Sequence, residues 1–385
     1  MPTSAPSPAA QPPLPRPDAW EQARSDELKE RICARIARSG DWLAFADYMQ
    51  MALYEPALGY YAASSEKFGA RGDFVTAPEM SPLFAQAIAQ QLVEVFGPLR
   101  GQILEFGAGT GALARDLIAE LRRRGCAPKT YYILEVSADL RERQRRLLAQ
   151  LPVTWLESLP EKFDGVVIAN EVLDVLPVQL FVRGQDGLYE RGVRCDGTEL
   201  RFAVRRADPQ LEQEVAAIEA LVGPLPPGYG SELCPLARKW IVALAQCLQR
   251  ALVLLLDYGF PRREYYHPQR AMGTLMCHYR QRVHADPLWL PGVNDITAHV
   301  DFSALAQAAH AAGLQVLGYT SQARFLLNCG ILERLNAASD AAQLGAAQRL
   351  LSEAEMGELV KVLALGRGFD GQLLGFSCGD RRHRL

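Results

Sequence analysis

The sequence predicts a doubly wound α/β fold on a mainly parallel sheet, and three observations carry that prediction. Short apolar runs at 102–106, 131–136, 153–156 and 165–169 alternate with helical patterns, the signature of strand-helix-strand units. A glycine-rich turn at 107–111 lies directly between the first run and its helix. After an interruption, the apolar run 251–257 resumes the same rhythm. Parallel neighbours need right-handed crossovers, which cover both faces of the sheet with helices.

Taken in order, residues 1–19 are rich in Pro and Ala and read as a disordered tail. They lack the charged and apolar blocks of a secretory signal, and their prolines oppose an organellar presequence. Residues 20–96 read as an N-terminal helical cap with a lid loop. Leu28, Ile32 and Ile36 recur four apart and predict a helix over 20–39; further helices are expected over 41–53 and 81–96. Between these two, 54–82 mixes Pro and Gly with Tyr60, Tyr61, Phe68 and Phe74, a long loop of the kind that carries function.

Residues 97–182 read as the first part of the core. Arg122, Arg123 and Arg124 before Gly125 end a helix over 110–124 with cations at the negative pole of its dipole and a glycine stop. Ser137 caps the next helix, over 137–150. Residues 183–250 read as an insertion after the fourth strand, with a hairpin near 184–187, a Pro- and Gly-rich turn over 224–230 and a helix over 236–249. Residues 251–385 return to the core with helical additions: a helix capped by Asp301, a strand over 314–317, a mostly helical stretch over 324–365 and a closing strand over 372–378.

Forty-one Lys and Arg against 44 Asp and Glu leave a net charge of −3, so no overall positive field exists to hold nucleic acid or an anionic membrane. No apolar run approaches the ~20 residues of a membrane span. The eight cysteines are scattered without a C-x-x-C pair and read as reduced thiols of a cytoplasmic protein. His267, His278, His284 and His299 fall close together in sequence but lack metal-ligand spacing, so no metal site is read.

Chemistry concentrates around Glu105-Phe106-Gly107-Ala108-Gly109-Thr110-Gly111. Glycines between a strand and a helix let the backbone turn tightly and let a ligand reach N–H groups that a side chain would shield. With Ala112 the run also satisfies a dinucleotide fingerprint, so NAD is an alternative. Glu105 at the strand end would repel a pyrophosphate. It suits instead a cofactor carrying an ammonium and no phosphate, as S-adenosylmethionine does. Glu135 ends the second strand, where a carboxylate can accept both ribose hydroxyls of either cofactor. Asn170, Glu171 and Asp174 follow the fourth strand, at the end of a doubly wound sheet where ligands lie. A guanidinium acceptor, with a pKa above ~12, needs carboxylates to orient it and localise its charge. Helix capping by the same acids is the bland alternative. Asn170-Glu171-Val172-Leu173 lacks the prolines and aromatic of base-stacking amino methylases, which argues against a nucleobase.

The chain resembles the MidA family of class I S-adenosylmethionine-dependent methyltransferases. The resemblance rests on Gly72-Asp73-Phe74-Val75-Thr76-Ala77-Pro78-Glu79, the Glu105 to Gly111 loop, Leu134-Glu135-Val136-Ser137 and Asn170-Glu171-Val172-Leu173-Asp174-Val175-Leu176-Pro177. Further blocks are Asp257-Tyr258-Gly259, Gly273-Thr274-Leu275, Asp295 to Phe302 and Phe325-Leu326-Leu327-Asn328. Val172 and Leu173 depart from the more aromatic mitochondrial form. That mitochondrial member is a protein arginine methyltransferase and an assembly factor for respiratory complex I. The resemblance therefore implies S-adenosylmethionine as cofactor and a protein acceptor, such as an NADH dehydrogenase subunit. The expected site has Gly72, Asp73, Glu105, Gly107, Gly109, Gly111, Glu135 and Asn170 around the cofactor and Glu171 and Asp174 as catalytic acids. The loop holding Gly72 and Asp73 is expected to act as a lid. A non-catalytic assembly factor on the same fold is the second reading, and an NAD-dependent oxidoreductase the third.

Overall fold

Alternation along the central strands sets the architecture. The computed structural model describes residues 14–63, 75–97, 99, 101–335 and 341–385. Its main sheet holds β1 (Gln102–Phe106), β2 (Thr130–Leu134), β3 (Val153–Leu156), β4 (Phe163–Asn170), β5 (Leu248–Phe260), β6 (Gln315–Ser321) and β7 (Val360–Arg367). Their order is β6-β7-β5-β4-β1-β2-β3. The pairs among β1 to β5 are parallel, and β7 runs antiparallel to both of its neighbours. In β5, Leu252, Leu254 and Leu256 face one core while Ala251, Val253 and Leu255 face the other. A strand buried on both faces has no polar side to show, hence its continuous apolar run.

Helices Pro82–Phe96, Ala112–Arg123 and Gln322–Asn328 cover one face, and Pro235–Cys247 and Phe302–Ala311 cover the other. The predicted caps form: Ser137 Oγ accepts from Leu140 N and Asp301 Oδ1 accepts from Ala304 N. Leu28, Ile32 and Ile36 are buried on helix Ala19–Arg38, which Asp18 and Glu21 start with a capping box.

Five corrections concern elements. Strand β7 falls inside the stretch expected to be helical, because a fully buried strand and a buried helix look alike by periodicity. The expected closing strand over 372–378 instead holds a 3-10 turn, Leu374–Phe376. Leu43–Ala44 pairs antiparallel with the strand Leu188–Asp196, so the second helix begins only at Phe45. The expected insertion over 183–250 does not coincide with one layer. A five-stranded sheet draws on Leu43–Ala44, Gln179–Arg183, Leu188–Asp196, Glu199–Arg206 and Gly230–Leu233, while Pro235–Cys247 packs on the main sheet. Helix Pro209–Val222, capped by Asp208, carries Leu211, Val215 and Ile218 four and three apart and lies between the expected hairpin and the Pro- and Gly-rich turn, where no helix was expected.

The expectation of eight reduced thiols is corrected at one pair. Cys33 and Cys195 form a disulfide between the N-terminal helix and the five-stranded sheet, their Cα atoms 5.6 Å apart. Cys126, Cys234, Cys247, Cys277, Cys329 and Cys378 are free. Among the described residues, no helix is long and apolar enough to cross a membrane.

Candidate active site

A cleft of about 1120 Å³ opens over the carboxyl ends of β1, β2, β4 and β5. Its floor is the glycine turn. Gly107, Gly109 and Gly111 have φ of +59°, +54° and +90°, a left-handed conformation that costs other residues about 1–2 kcal/mol each. At Gly107 a second constraint applies, because a Cβ there would lie 2.9 Å from Val172 Cγ2. The turn is tied down by Gly107 N donating to Leu134 O at 3.0 Å.

Glu135 lines the same cleft and is held in one orientation. Its Oε1 accepts from Ser137 N at 2.9 Å and its Oε2 from Gln144 Nε2 at 3.1 Å. Gln144 also donates to Gly109 O at 2.9 Å and accepts from Trp155 Nε1 at 2.9 Å. One buried amide thus ties the glycine turn, the second strand's acid and the third strand into a rigid unit. Sequence reasoning missed Gln144, since a lone polar residue on a helix face carries no motif. Beside Glu135, Val136 is 70% exposed and lines the cleft with Leu159, an apolar wall suited to a nucleoside base.

Glu105 lies beneath the turn, its Oε2 accepting from Tyr131 Oη at 2.7 Å. Burial, opposed by that hydrogen bond and reinforced by Glu135, pushes its carboxyl up to about 8. Such an acid sheds its proton when a cation arrives. Asn170 Oδ1 is buried without a partner and lines the same wall. An uncompensated buried acceptor over a backbone cradle fits the ammonium and nucleoside of S-adenosylmethionine, with Glu105, Gly107, Gly109, Gly111, Glu135 and Asn170 as the holding residues. Gly72 and Asp73 lie outside the described residues.

The other end of the cleft is crowded with acids. Glu171 has φ +53°, held by its N–H donating to Leu256 O at 2.8 Å. Its Oε1 accepts from Asn170 Nδ2 at 3.1 Å and from Ala77 N at 3.4 Å. Burial and the nearby charge of Asp257 push it up to about 7. Asp174 is buried with Oδ1 unpartnered, and burial, Asp257, Glu171 and Asp295 together hold it well above the usual carboxylate range. No helix follows these acids; the irregular chain after Glu171 leads into Gln179–Arg183, so capping does not account for them. A left-handed backbone at Glu171 and a buried, unpartnered carboxyl oxygen on Asp174 are features that cluster at functional sites.

Asp257, at the end of β5, underpins this arrangement. Its Oδ2 accepts from Val172 N and Leu173 N at 3.1 and 2.8 Å, which fixes the loop bearing Glu171 and Asp174; burial pushes it up to about 7. An acid ending a buried apolar strand was the available signal. Tyr54 and Tyr61 wall the acidic end, stacked with centroids 5.6 Å apart. Tyr54 Oη donates to Val175 O at 3.0 Å, and Tyr61 Oη to Asp295 Oδ1 at 3.1 Å. These aromatics and Asp295 come from distant segments, and no sequence spacing joins them. Thr76 and Glu79 also line the cleft. Among the described residues, no cluster of His, Cys, Asp and Glu converges to hold a metal ion.

The family model Methyltransf_28, of S-adenosyl-L-methionine-dependent methyltransferases, matches residues 87–320. A crystal structure from Burkholderia thailandensis, bound to S-adenosyl-homocysteine, is 45% identical, covers 97% of this chain and 100% of that chain, and superposes with a TM-score of 0.92. The mitochondrial protein arginine methyltransferase NDUFAF7 of Mus musculus is 30% identical over 90% of this chain and 86% of its own. Its Drosophila melanogaster homolog is 28% identical over 83% and 79%. Sheet order, glycine turn and these matches agree, and the chain belongs to the MidA-like family of class I S-adenosyl-L-methionine-dependent methyltransferases.

Proposed function

We propose that this chain methylates a guanidinium nitrogen of an arginine in a protein partner, of which an NADH dehydrogenase subunit is one candidate. The observation that carries the reading is the acidic end of the cleft, where Glu79, Glu171, Asp174 and Asp295 converge beside the stacked Tyr54 and Tyr61. The names of the relatives at about 30% identity support it. Glu171 and Asp174, held toward the protonated form by burial and neighbouring charge, are costly to ionise alone, and a guanidinium relieves that cost by pairing with them. The flat aromatic pair offers a face on which a guanidinium plane can lie.

When bound, the cofactor supplies an electrophilic methyl group on a sulfonium. Glu171 and Asp174 orient the acceptor and draw its positive charge away from the nitrogen to be methylated, freeing that lone pair for in-line approach. Once the N–C bond forms, that nitrogen must lose a proton. Glu171, pushed up to about 7, receives it and passes it to solvent. Asp257 acts through the loop it holds.

The test is incubation with S-adenosylmethionine and arginine-containing peptides or subunits, with mass spectrometry locating the added methyl group on individual residues. Methylarginine formed by the wild type and lost in Glu171→Gln, with S-adenosylhomocysteine binding retained, is the expected outcome. Methylation of another residue type would overturn the arginine reading. Partner binding and biological activity undiminished in Glu171→Gln would favour the non-catalytic assembly factor.

A further inference from the structure

The cleft that holds the acids is also lined by an arginine. Arg270 lines it from the turn after His267, its guanidinium carbon 4.1 Å from the Phe260 ring centroid. It enters no ion pair with a described residue, and its Nε is buried without a hydrogen-bond partner. Glu232, the buried acid whose field it touches, is already engaged: its Oε1 accepts from Tyr265 Oη at 2.7 Å and from Thr274 N at 2.9 Å. The neighbouring basic groups carry no free charge. Burial pulls His278 and His299 down to about 4, leaving both neutral at pH 7. Lys361, 5.5 Å from the Phe260 centroid, donates to Glu358 O and lies 3.5 Å from the Glu358 carboxylate. A half-buried arginine laid on an aromatic face with donors to spare is built for a carboxylate.

We propose that Arg270 is a specificity residue that binds a carboxylate of the acceptor protein close to the methylated arginine. This rests on the arginine-methylating reading above. The spacing follows from β5. Tyr258, whose phenol feels Glu171 and Asp174, and Phe260, which carries Arg270, alternate onto the same side of the strand and so stand about 7 Å apart. An extended acceptor rises about 3.3 Å per residue, so the recognised Asp or Glu lies about two residues from the arginine. His299, stacked on Phe260 with ring centroids 5.2 Å apart, keeps that aromatic shelf in place.

The shared chemistry is a carboxylate, and the cofactor has one too, so the experiment separates the two sources. An array of peptides with one central arginine, each flanking position scanned with Glu, Gln and Lys, is methylated with labelled S-adenosylmethionine by wild type, Arg270→Lys and Arg270→Glu. The wild type should prefer Glu over Gln about two residues from the arginine by roughly tenfold in kcat/KM, mostly through KM. Arg270→Lys should keep part of that preference, and Arg270→Glu should transfer it to Lys. Titration with S-adenosylhomocysteine should give the same Kd for all three proteins, which also establishes that the variants fold. A weakened Kd in Arg270→Glu would assign Arg270 to the cofactor carboxylate and overturn the proposal. Labelled peptides without acid preference, or a preference that survives Arg270→Glu, would overturn it while leaving arginine methylation intact. An array with no labelled arginine would remove the parent reading and this one together.

Discussion

The glycine-turn half of the cleft, read as the cofactor side, and the half holding Glu171 and Asp174, read as the acceptor side, are both walled by carboxylates, and Glu135 in the first is held in the opposite way to Asp174 in the second. In the first half, Glu135 accepts from Ser137 N and from Gln144, and Gln144 is itself bound to Gly109 O and Trp155. In the second, Asp174 Oδ1 has no partner, and Glu171 is pushed up to about 7 by burial and the nearby charge of Asp257. A fully satisfied carboxylate is a preset acceptor, ready for neutral hydroxyls. A cluster of under-partnered acids is instead a proton-holding site that waits for a cation to displace its protons. Under the proposed function the same residue type serves two recognitions, separated by hydrogen-bond satisfaction.

The largest expected effect breaks the acceptor half alone. Asp174→Asn should lower methylation by roughly a hundredfold or more while leaving S-adenosylhomocysteine affinity within about twofold; an equal loss in both would show that the halves are not separable. On the cofactor side, Glu135→Ala should weaken S-adenosylhomocysteine by roughly tenfold to a hundredfold in calorimetric titration, with turnover largely restored at saturating cofactor. An unchanged Kd would remove Glu135 from the ribose site.

Gly107 joins the two halves, because its missing side chain makes room for Val172 of the acceptor loop. Gly107→Ala should cost about 1–3 kcal/mol in denaturant unfolding. Adding Val172→Ala should return only the steric part, since the left-handed backbone at Gly107 remains. Full recovery in the double variant would mean that the conformation itself costs little.

A pH slope reads the same buried carboxyls without any ligand. Glu105, Glu171 and Asp257 stand at about 8, 7 and 7 in the folded protein, above the unfolded value of about 4. Between those limits the folded state binds more protons, so stability falls as pH rises from about 4.5 to 8 and then levels. Each group contributes at most about 1.4 kcal/mol per pH unit. Glu105→Gln should flatten the upper end of the slope, near pH 7 to 8, in ligand-free protein. An unaltered slope would mean that Glu105 is ionised in the empty cleft.

The cofactor half was legible because it is nearly contiguous. Strand β1, the turn and helix Ala112–Arg123 follow one another within 22 residues of chain, Gln102–Arg123, and each glycine answers a local backbone demand. Glu171 and Asp174 were legible as acids following a strand. Their crowding was not, because Asp257 and Asp295 reach them from other parts of the chain. The misread β7 has the same cause at the level of the fold. Val360–Arg367 is buried on both faces by layers distant in sequence, and its own pattern cannot say whether a strand or a helix fills that space.

What the sequence determined by itself was therefore local: the strand-turn-helix cradle, the caps, the order of core elements and the positions of acids at strand ends. These depend on backbone sterics and on periodicities that act over a few residues. The tertiary structure decided which acids share a cleft, that Tyr54 and Tyr61 line it with them, and that Arg270 on the Phe260 ring lines it too. Burial and Coulomb interactions depend on distance through space, and only the folded sheet brings residues 54, 174, 257, 270 and 295 within that range.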